Sequence, residues 1–118
     1  MEKGALFVGW GSIITGREKT AAQVLNEAMK YLQTLQNDGK LDALDVVLLE
    51  PHGGDLEGFV LVKGDKEFLA KLRVEEEFVK IIVGAQLVHI KVGVVWAYSG
   101  REMQSLFQIW GQQEEKLI

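Results

Sequence analysis

The chain contains no cysteine, and its 118 residues include a single proline. The absence of cysteine excludes disulfide bonds, thiolate metal sites and cysteine nucleophiles. The formal net charge of -4 argues against binding to nucleic acid or to an anionic membrane, because both need a basic surface. No uncharged apolar stretch reaches the ~20 residues of a bilayer-spanning helix, and no segment has the pattern of a secretory signal peptide. We therefore expect a cytoplasmic protein.

The overall composition is typical of one folded domain. Hydrophobic residues make up 47% of the chain and charged residues 25%, which is common in soluble globular proteins and excludes intrinsic disorder. The length is sufficient for one domain, and no repeat or low-complexity segment divides the chain. We predict a single domain over residues 1–118.

Four apolar segments have the length and composition of β-strands. They cover residues 5–13, 41–50, 56–63 and 87–98. Apolar residues at helical spacing follow the first of these segments, with Thr15 and Glu18 as a capping box at the start. A second helical region begins at Asp65 and ends at Gly84, and a break near Val74 stays open.

The C-terminal segment predicts a further helix over about 100–116. Ser99 and Glu102 form a second capping box there. After this start, one face of the helix is lined by Met103, Leu106, Phe107 and Trp110. This helix is too narrow to cover a sheet of four strands. We therefore expect it to extend a homodimer and not to replace it.

The order β-α-β-β-α-β predicts a ferredoxin-like α+β fold with an antiparallel sheet in the spatial order 4-1-3-2. Helices in this fold cover one face of the sheet. The strands, however, are apolar on both faces, as Val60 and Val62 against Phe59 and Leu61 illustrate. The second apolar face would meet water in a monomer, so we predict a homodimer.

The element order, the doubly apolar strands and the segment Leu-Arg-Val-Glu-Glu-Glu-Phe at 72–78 resemble the dimeric α/β-barrel superfamily, and within it antibiotic-biosynthesis-type monooxygenases. Segments 9–11 and 49–55 are similar to those of small bacterial proteins. The resemblance implies two ferredoxin-like protomers packed sheet against sheet. Its members include cofactor-free oxygenases, haem-degrading enzymes, isomerases and non-catalytic ligand binders, so the fold does not select a function. It supplies no catalytic set to carry over residue by residue.

A polar cluster at the predicted hairpin is the first candidate site. Glu50 and His52 share a strand face because they are two residues apart, and we predict His52 as a catalytic base with Glu50 as its orienting carboxylate. With Asp55 they could also contact a metal ion, but a solvated hairpin tip accounts for them more simply, and we predict no metal site. His52 and His89 fall at the same end of the sheet but on opposite edges, too far apart to share a site within one protomer.

A ligand pocket between sheet and helices is the second candidate site. Trp10 and Trp96 would supply its apolar area, and Ser12 and Arg17 would lie at the start of the first helix, where anions bind readily. His89, on the predicted fourth strand, completes the set of ligand-binding candidates. Each residue also has a structural alternative: core packing for the aromatics, a capped helix start for Ser12 and Arg17, and a half-buried strand position for His89.

Three functions are compatible with these patterns. The first is a dimeric protein that binds a small apolar or planar metabolite or acts on it without a cofactor. The second is a non-catalytic ligand-binding or assembly protein. The third is a haem binder that uses His89 as an axial ligand. Whether the chain is an enzyme stays open, as do the identities of the ligand and the pathway.

Overall fold

The computed structural model of the protein describes residues 2–118. These residues form four strands and four helices. In chain order they are β1 (Lys3–Trp10), α1 (Glu18–Asn37), β2 (Ala43–Leu48), β3 (Gly58–Asp65), α2 (Lys66–Leu72), α3 (Glu76–Val88), β4 (Gly93–Ala97) and α4 (Gly100–Leu117). Within this range no helix combines the length and the apolar character needed to cross a membrane.

The four strands form one sheet in the order β2-β3-β1-β4, with every neighbouring pair antiparallel. This is the predicted order 4-1-3-2 and confirms the ferredoxin-like α+β fold. The central strands β1 and β3 are eight residues long and pair along their whole length. The outer strands β2 and β4 are shorter, with six and five residues.

The helices cover one face of the sheet, which we call the covered face. Leu6 and Val62 lie opposite each other on β1 and β3, and both are fully buried. Leu69 and Leu72 of α2 and Phe78 of α3 are part of the same buried cluster. The apolar alternation of the strands therefore produces the hydrophobic core on this side.

The other face, which we call the open face, is also apolar. Phe7 and Leu61 are opposite each other on the central strands, with Val95 beside them on β4. The rings of Phe7 and Phe59 lie with centroids 5.2 Å apart, while the side chain of Val95 is 52% exposed. Within residues 2–118 no helix packs across this face; α4 borders only its corner.

The second helical region is broken into two helices, and the break includes Val74. Helix α2 ends at Leu72 and α3 begins at Glu76. The predicted end at Gly84 is wrong, since α3 continues to Val88. Gly84 instead lies against α1, where an added Cβ would contact Val24 at 3.6 Å. The glycine therefore lies within the helix and does not terminate it.

The predicted fourth strand is correspondingly too long. Residues 87 and 88 belong to α3, and β4 begins only at Gly93. His89 follows the helix directly and makes a single bridge to Ile13. It therefore lies in the link between α3 and β4 and not on a strand.

The two predicted capping boxes are also wrong. Helix α1 begins at Glu18, and no side chain caps its N-terminus. The Glu18 carboxylate instead accepts a hydrogen bond from the backbone N–H of Gly16 at 3.2 Å. Ser99 does precede α4 as its N-terminal flanking residue, but its hydroxyl makes no capping bond.

Candidate functional site

The candidate site is built where β1 ends and the link between α3 and β4 passes beside it. The backbone N–H of Gly11 donates to the Ile90 carbonyl at 2.8 Å, and the N–H of Ile90 donates to the Ser12 carbonyl at 2.9 Å. A third bond joins the Ile14 N–H to the Val88 carbonyl at 2.8 Å. These bonds fix the link, and with it His89, against the end of β1.

Gly11 is required at this junction because nothing larger fits. A Cβ there would lie 2.8 Å from the Ile90 carbonyl oxygen and 3.1 Å from that of Asp55. Asp55 belongs to the loop between β2 and β3, and its carboxylate pairs with Lys91 at 2.5 Å. The hydrogen bond from Lys91 lowers the pKa of Asp55. Three separate segments therefore meet around one glycine.

The His89 ring has a defined orientation. Its Nδ1 lies 3.0 Å from the carbonyl oxygen of Gly11, and because a carbonyl only accepts, Nδ1 carries the proton. In the neutral tautomer that carries this proton, Nε2 is a hydrogen-bond acceptor. The ring is half-buried, and its centroid is 6.1 Å from that of Trp10. Nδ1 of His89 thus has a structural role, and among residues 2–118 no hydrogen bond engages Nε2.

An apolar cavity of about 50 Å³ lies beside this histidine, between the covered face, α1 and α3. Its walls include Trp10 from β1, Met29 from α1 and Ile82 from α3. His89 is the only titratable residue among the described residues that line it. The remaining lining residues are Val8, Gly9, Val24, Leu25, Ala28, Leu32, Val60, Phe78, Ile81, Ala85 and Val92.

His52 has a different environment. Its Nδ1 accepts a hydrogen bond from the Gly54 N–H at 3.3 Å, so its Nε2 donates to the Leu56 carbonyl at 2.8 Å. Both ring nitrogens therefore hold the exposed loop between β2 and β3. Neither His52 nor Glu50 lines the cavity. A catalytic role for this pair stays a prediction, and the geometry gives it little support.

Three of the predicted ligand-binding residues also lie away from the cavity. The Ser12 hydroxyl donates to Glu57 at 3.0 Å, and the Arg17 guanidinium donates to the Leu87 carbonyl near the end of α3. Trp96 packs 5.9 Å from the Arg73 guanidinium and lines two grooves near the start of β1, of about 440 and 720 Å³. Of the five predicted residues, only Trp10 and His89 therefore lie together at the cavity.

The helix residues of the cavity carry no sequence signal of a site. Leu25, Met29 and Ile82 fall on apolar helical stripes that indicate core packing. Ala28 and Ala85 are small residues in those stripes. Only the structure shows that the space beside their short side chains is part of a cavity. Among residues 2–118 no cluster of three or more potential metal ligands is present.

No family model and no curated protein sequence matches this chain. Several solved structures, however, are similar to it. A DABB family protein with a ferredoxin-like fold from Mesorhizobium loti matches with a TM-score of 0.62 at 8% identity, over 84% of this chain and 99% of that one. A dimeric ferredoxin-like protein from Bacteroides fragilis matches with a TM-score of 0.59 at 11% identity, over 80% and 94%.

A third similar structure is SnoaB, described as a cofactor-independent oxygenase from Streptomyces nogalater. It has a TM-score of 0.59 at 8% identity, over 85% of this chain and 96% of that one. The proteins found are those that the sequence resemblance indicates, ferredoxin-like proteins that include an antibiotic biosynthesis monooxygenase. At such low identity the likeness establishes the fold and leaves the activity open.

Proposed function

We propose that this protein is a homodimer that binds a small, largely apolar molecule in the cavity beside His89. The observation that carries the proposal is an apolar cavity with one titratable lining residue, whose Nδ1 is held by the Gly11 carbonyl. Ligand sites are commonly apolar and orient their ligand through a few fixed polar groups. Trp10 and His89 fit that description.

The size of the cavity limits the ligand. Its volume of about 50 Å³ is well below the ~300–1,000 Å³ of pockets for drug-sized molecules. We therefore propose a single ring or a short chain, and because a cavity that binds benzene measures ~150 Å³, a ring enters only when the walls move outward. Met29 is the side chain best able to move aside, because methionine is unbranched and adapts to irregular space.

The tautomer of His89 that the Gly11 carbonyl selects defines the polar group of the ligand. With the proton on Nδ1, Nε2 accepts a hydrogen bond, so the complementary ligand carries a hydroxyl or another acidic hydrogen. A phenol-like molecule satisfies both requirements. In an enzyme, Nε2 would act as a general base toward that hydrogen without a cofactor. SnoaB, a similar structure described as a cofactor-independent oxygenase, supports considering cofactor-free chemistry.

An NMR titration tests this proposal, because the chain has only two histidines. Phenol and benzene are added separately while the ring-proton signals of His52, His89 and Trp96 are followed. We expect phenol to shift the signals of His89 and to bind more tightly than benzene, since only phenol can donate to Nε2. Shifts confined to Trp96, at the opposite end of the sheet, would refute the proposal.

Three variants sharpen the titration. Ala28→Leu fills the cavity, and we expect it to abolish the shift. His89→Asn keeps a donor near the Gly11 carbonyl but lacks Nε2, so it should remove the preference for phenol over benzene. His52→Asn is the matched control and should leave both affinities unchanged. A loss of phenol binding in His52→Asn alone would support the predicted pair of His52 and Glu50 instead.

Haem binding through His89 is the alternative function that the cavity fits poorly. A space of about 50 Å³ does not admit a porphyrin. We expect no change in the Soret band when haem is added to the protein. A shifted band that disappears in His89→Asn would favour the haem alternative.

The dimer in this proposal follows from the open face. Phe7, Phe59, Leu61 and Val95 form a contiguous apolar surface on one side of the sheet, and such surfaces usually mark an interface. A two-fold axis lets the same surface serve both copies. The similar structure from Bacteroides fragilis is described as dimeric. Sedimentation equilibrium at micromolar concentration is the test, and a monomer mass at every concentration would rule the dimer out.

A further inference from the structure

Helix α4 is amphipathic but has no packing partner in its own chain. Met103, Phe107 and Trp110 follow one another at helical spacing and form what we call the α4 stripe; their side chains are 40%, 60% and 67% exposed. None of the residues of α4 is buried. Within residues 2–118 the helix makes no extensive contact with any other helix or strand.

The overall shape reflects this isolation. The radius of gyration is 16.2 Å, compared with roughly 13.5 Å for a compact chain of this length. Only Tyr98 and Ser99 connect β4 to α4, and a groove of about 720 Å³ separates the helix from Ala5 and Trp96. The helix therefore stands away from the body of the protein, at the corner of the open face.

The open face alone is small for a stable interface. Four strands spaced by ~4.8 Å and rising ~3.3 Å per residue give it an area of roughly 400 Å². Stable complexes typically bury about 800 Å² on each partner. A helix of 18 residues is about 27 Å long and ~10 Å wide, which adds roughly 270 Å². The two apolar surfaces together come close to the area that a stable dimer needs.

We propose that α4 crosses to the second copy of this chain, where the α4 stripe packs beside the open face of the partner. The inference rests on the proposed dimer and extends it. Continuity favours a second copy, because α4 begins at the corner of the open face, beside Ala97. The end of the helix carries Glu114 and Glu115, which disfavours an anionic lipid surface, since membrane-bound amphipathic helices are rich in lysine and arginine.

Paramagnetic relaxation enhancement tests this arrangement directly. The chain has no cysteine, so a nitroxide can be attached through Gln112→Cys on the polar side of α4. Protein that carries the nitroxide but no ¹⁵N is mixed with ¹⁵N-labelled wild-type protein that carries no nitroxide. We expect broadening of the amide signals of the open-face strands in the ¹⁵N-labelled copy. A nitroxide at Asn26→Cys, on the exposed side of α1, is the matched control and should broaden none of them.

The outcomes separate this inference from the dimer itself. A dimer by sedimentation without intermolecular broadening from position 112 would overturn the crossing of α4 and leave the dimer in place. A monomer at every concentration would refute both proposals.

A pair of substitutions gives an independent measurement. Phe107→Gln with Trp110→Gln should weaken dimerisation at least about tenfold, because large aromatic side chains dominate interface energies. The helix should remain formed, as circular dichroism can verify. Gln108→Ala on the polar side of α4 is the control and should leave the dimer dissociation constant unchanged. An equal constant for the double variant and the wild type would contradict the inference.

Discussion

The two faces of the sheet have almost the same composition but different surroundings. Leu6 and Phe7 are neighbours on β1, yet Leu6 is fully buried beneath the helices while Phe7 lies on the open face beside Phe59. The alternation of strand side chains thus produces two apolar surfaces, and one chain can cover only one of them. The covered face stabilises the chain and encloses the cavity; the open face is available for association.

The largest expected effect concerns the covered face. Leu6→Ala should lower the free energy of unfolding by about 3 kcal/mol, because it leaves a cavity in a fully buried position. Urea denaturation at two protein concentrations measures it, and the loss should be the same at both. Val95→Ala on the open face is the comparison, and its effect should be smaller and grow with concentration. Equal, concentration-independent losses would remove the distinction between the faces.

The next effect concerns the junction that positions His89. Gly11→Ala should lower the free energy of unfolding by about 2 kcal/mol, because the new Cβ would meet two backbone carbonyl oxygens. Gly93→Ala is the matched control, since nothing lies within 4 Å of a Cβ there, and its effect should be below about 0.5 kcal/mol. A tolerated Gly11→Ala with unchanged His89 ring signals would show that the junction is less tightly packed than described.

Much of the fold could be predicted from the sequence because strand alternation and helical spacing are local patterns. They gave the order of elements, and handedness rules gave the sheet order. The end of α3 could not be read locally. Gly84 looks like a helix stop, but α3 continues through it to Val88, packed against Val24 of another helix. Because the helix was predicted to end too early, the predicted fourth strand began too early and included His89.

The candidate site was less predictable than the fold for the same reason. Glu50 and His52 attracted attention because they are polar and close in sequence. The structure shows both nitrogens of His52 bonded within its own loop. The position of His89 beside Trp10 depends on backbone bonds between residues 11–14 and 88–90, which no spacing in the sequence reveals. Ser12, Arg17 and Trp96 were separated from the cavity by equally non-local contacts.

A smaller effect concerns the open face. Phe59→Ala should weaken dimerisation about tenfold, equivalent to ~1.4 kcal/mol, because it removes a ring that packs against Phe7. Sedimentation equilibrium measures the change. Val46→Ala is the control, since Val46 is also exposed but lies on the opposite side of the sheet. If Val46→Ala weakened the dimer as much as Phe59→Ala, the interface would not be the open face.

The smallest effect concerns the polar rim of the covered face, where α1 meets the link between α2 and α3. The Tyr31 hydroxyl donates to Glu75 at 3.1 Å. Partial burial, followed by this hydrogen bond, raises the pKa of Tyr31 from its ordinary value of 10.0 to about 12. The folded state therefore holds this proton more tightly than the unfolded state. Its contribution to stability is complete below pH 10 and is lost as the pH rises through 12.

Tyr31→Phe tests this contribution by removing the titrating group. Between pH 9 and pH 11.5 the wild type should lose about 1 kcal/mol more stability than the variant, a value reduced for the solvent exposure of the ring. Urea denaturation of both proteins at the two pH values gives the difference. Lys3, whose pKa is raised by its hydrogen bonds to Asp65 and Asp42, titrates in both proteins and therefore cancels. Parallel decline of the two proteins would show that the Tyr31–Glu75 contact makes no pH-dependent contribution to stability.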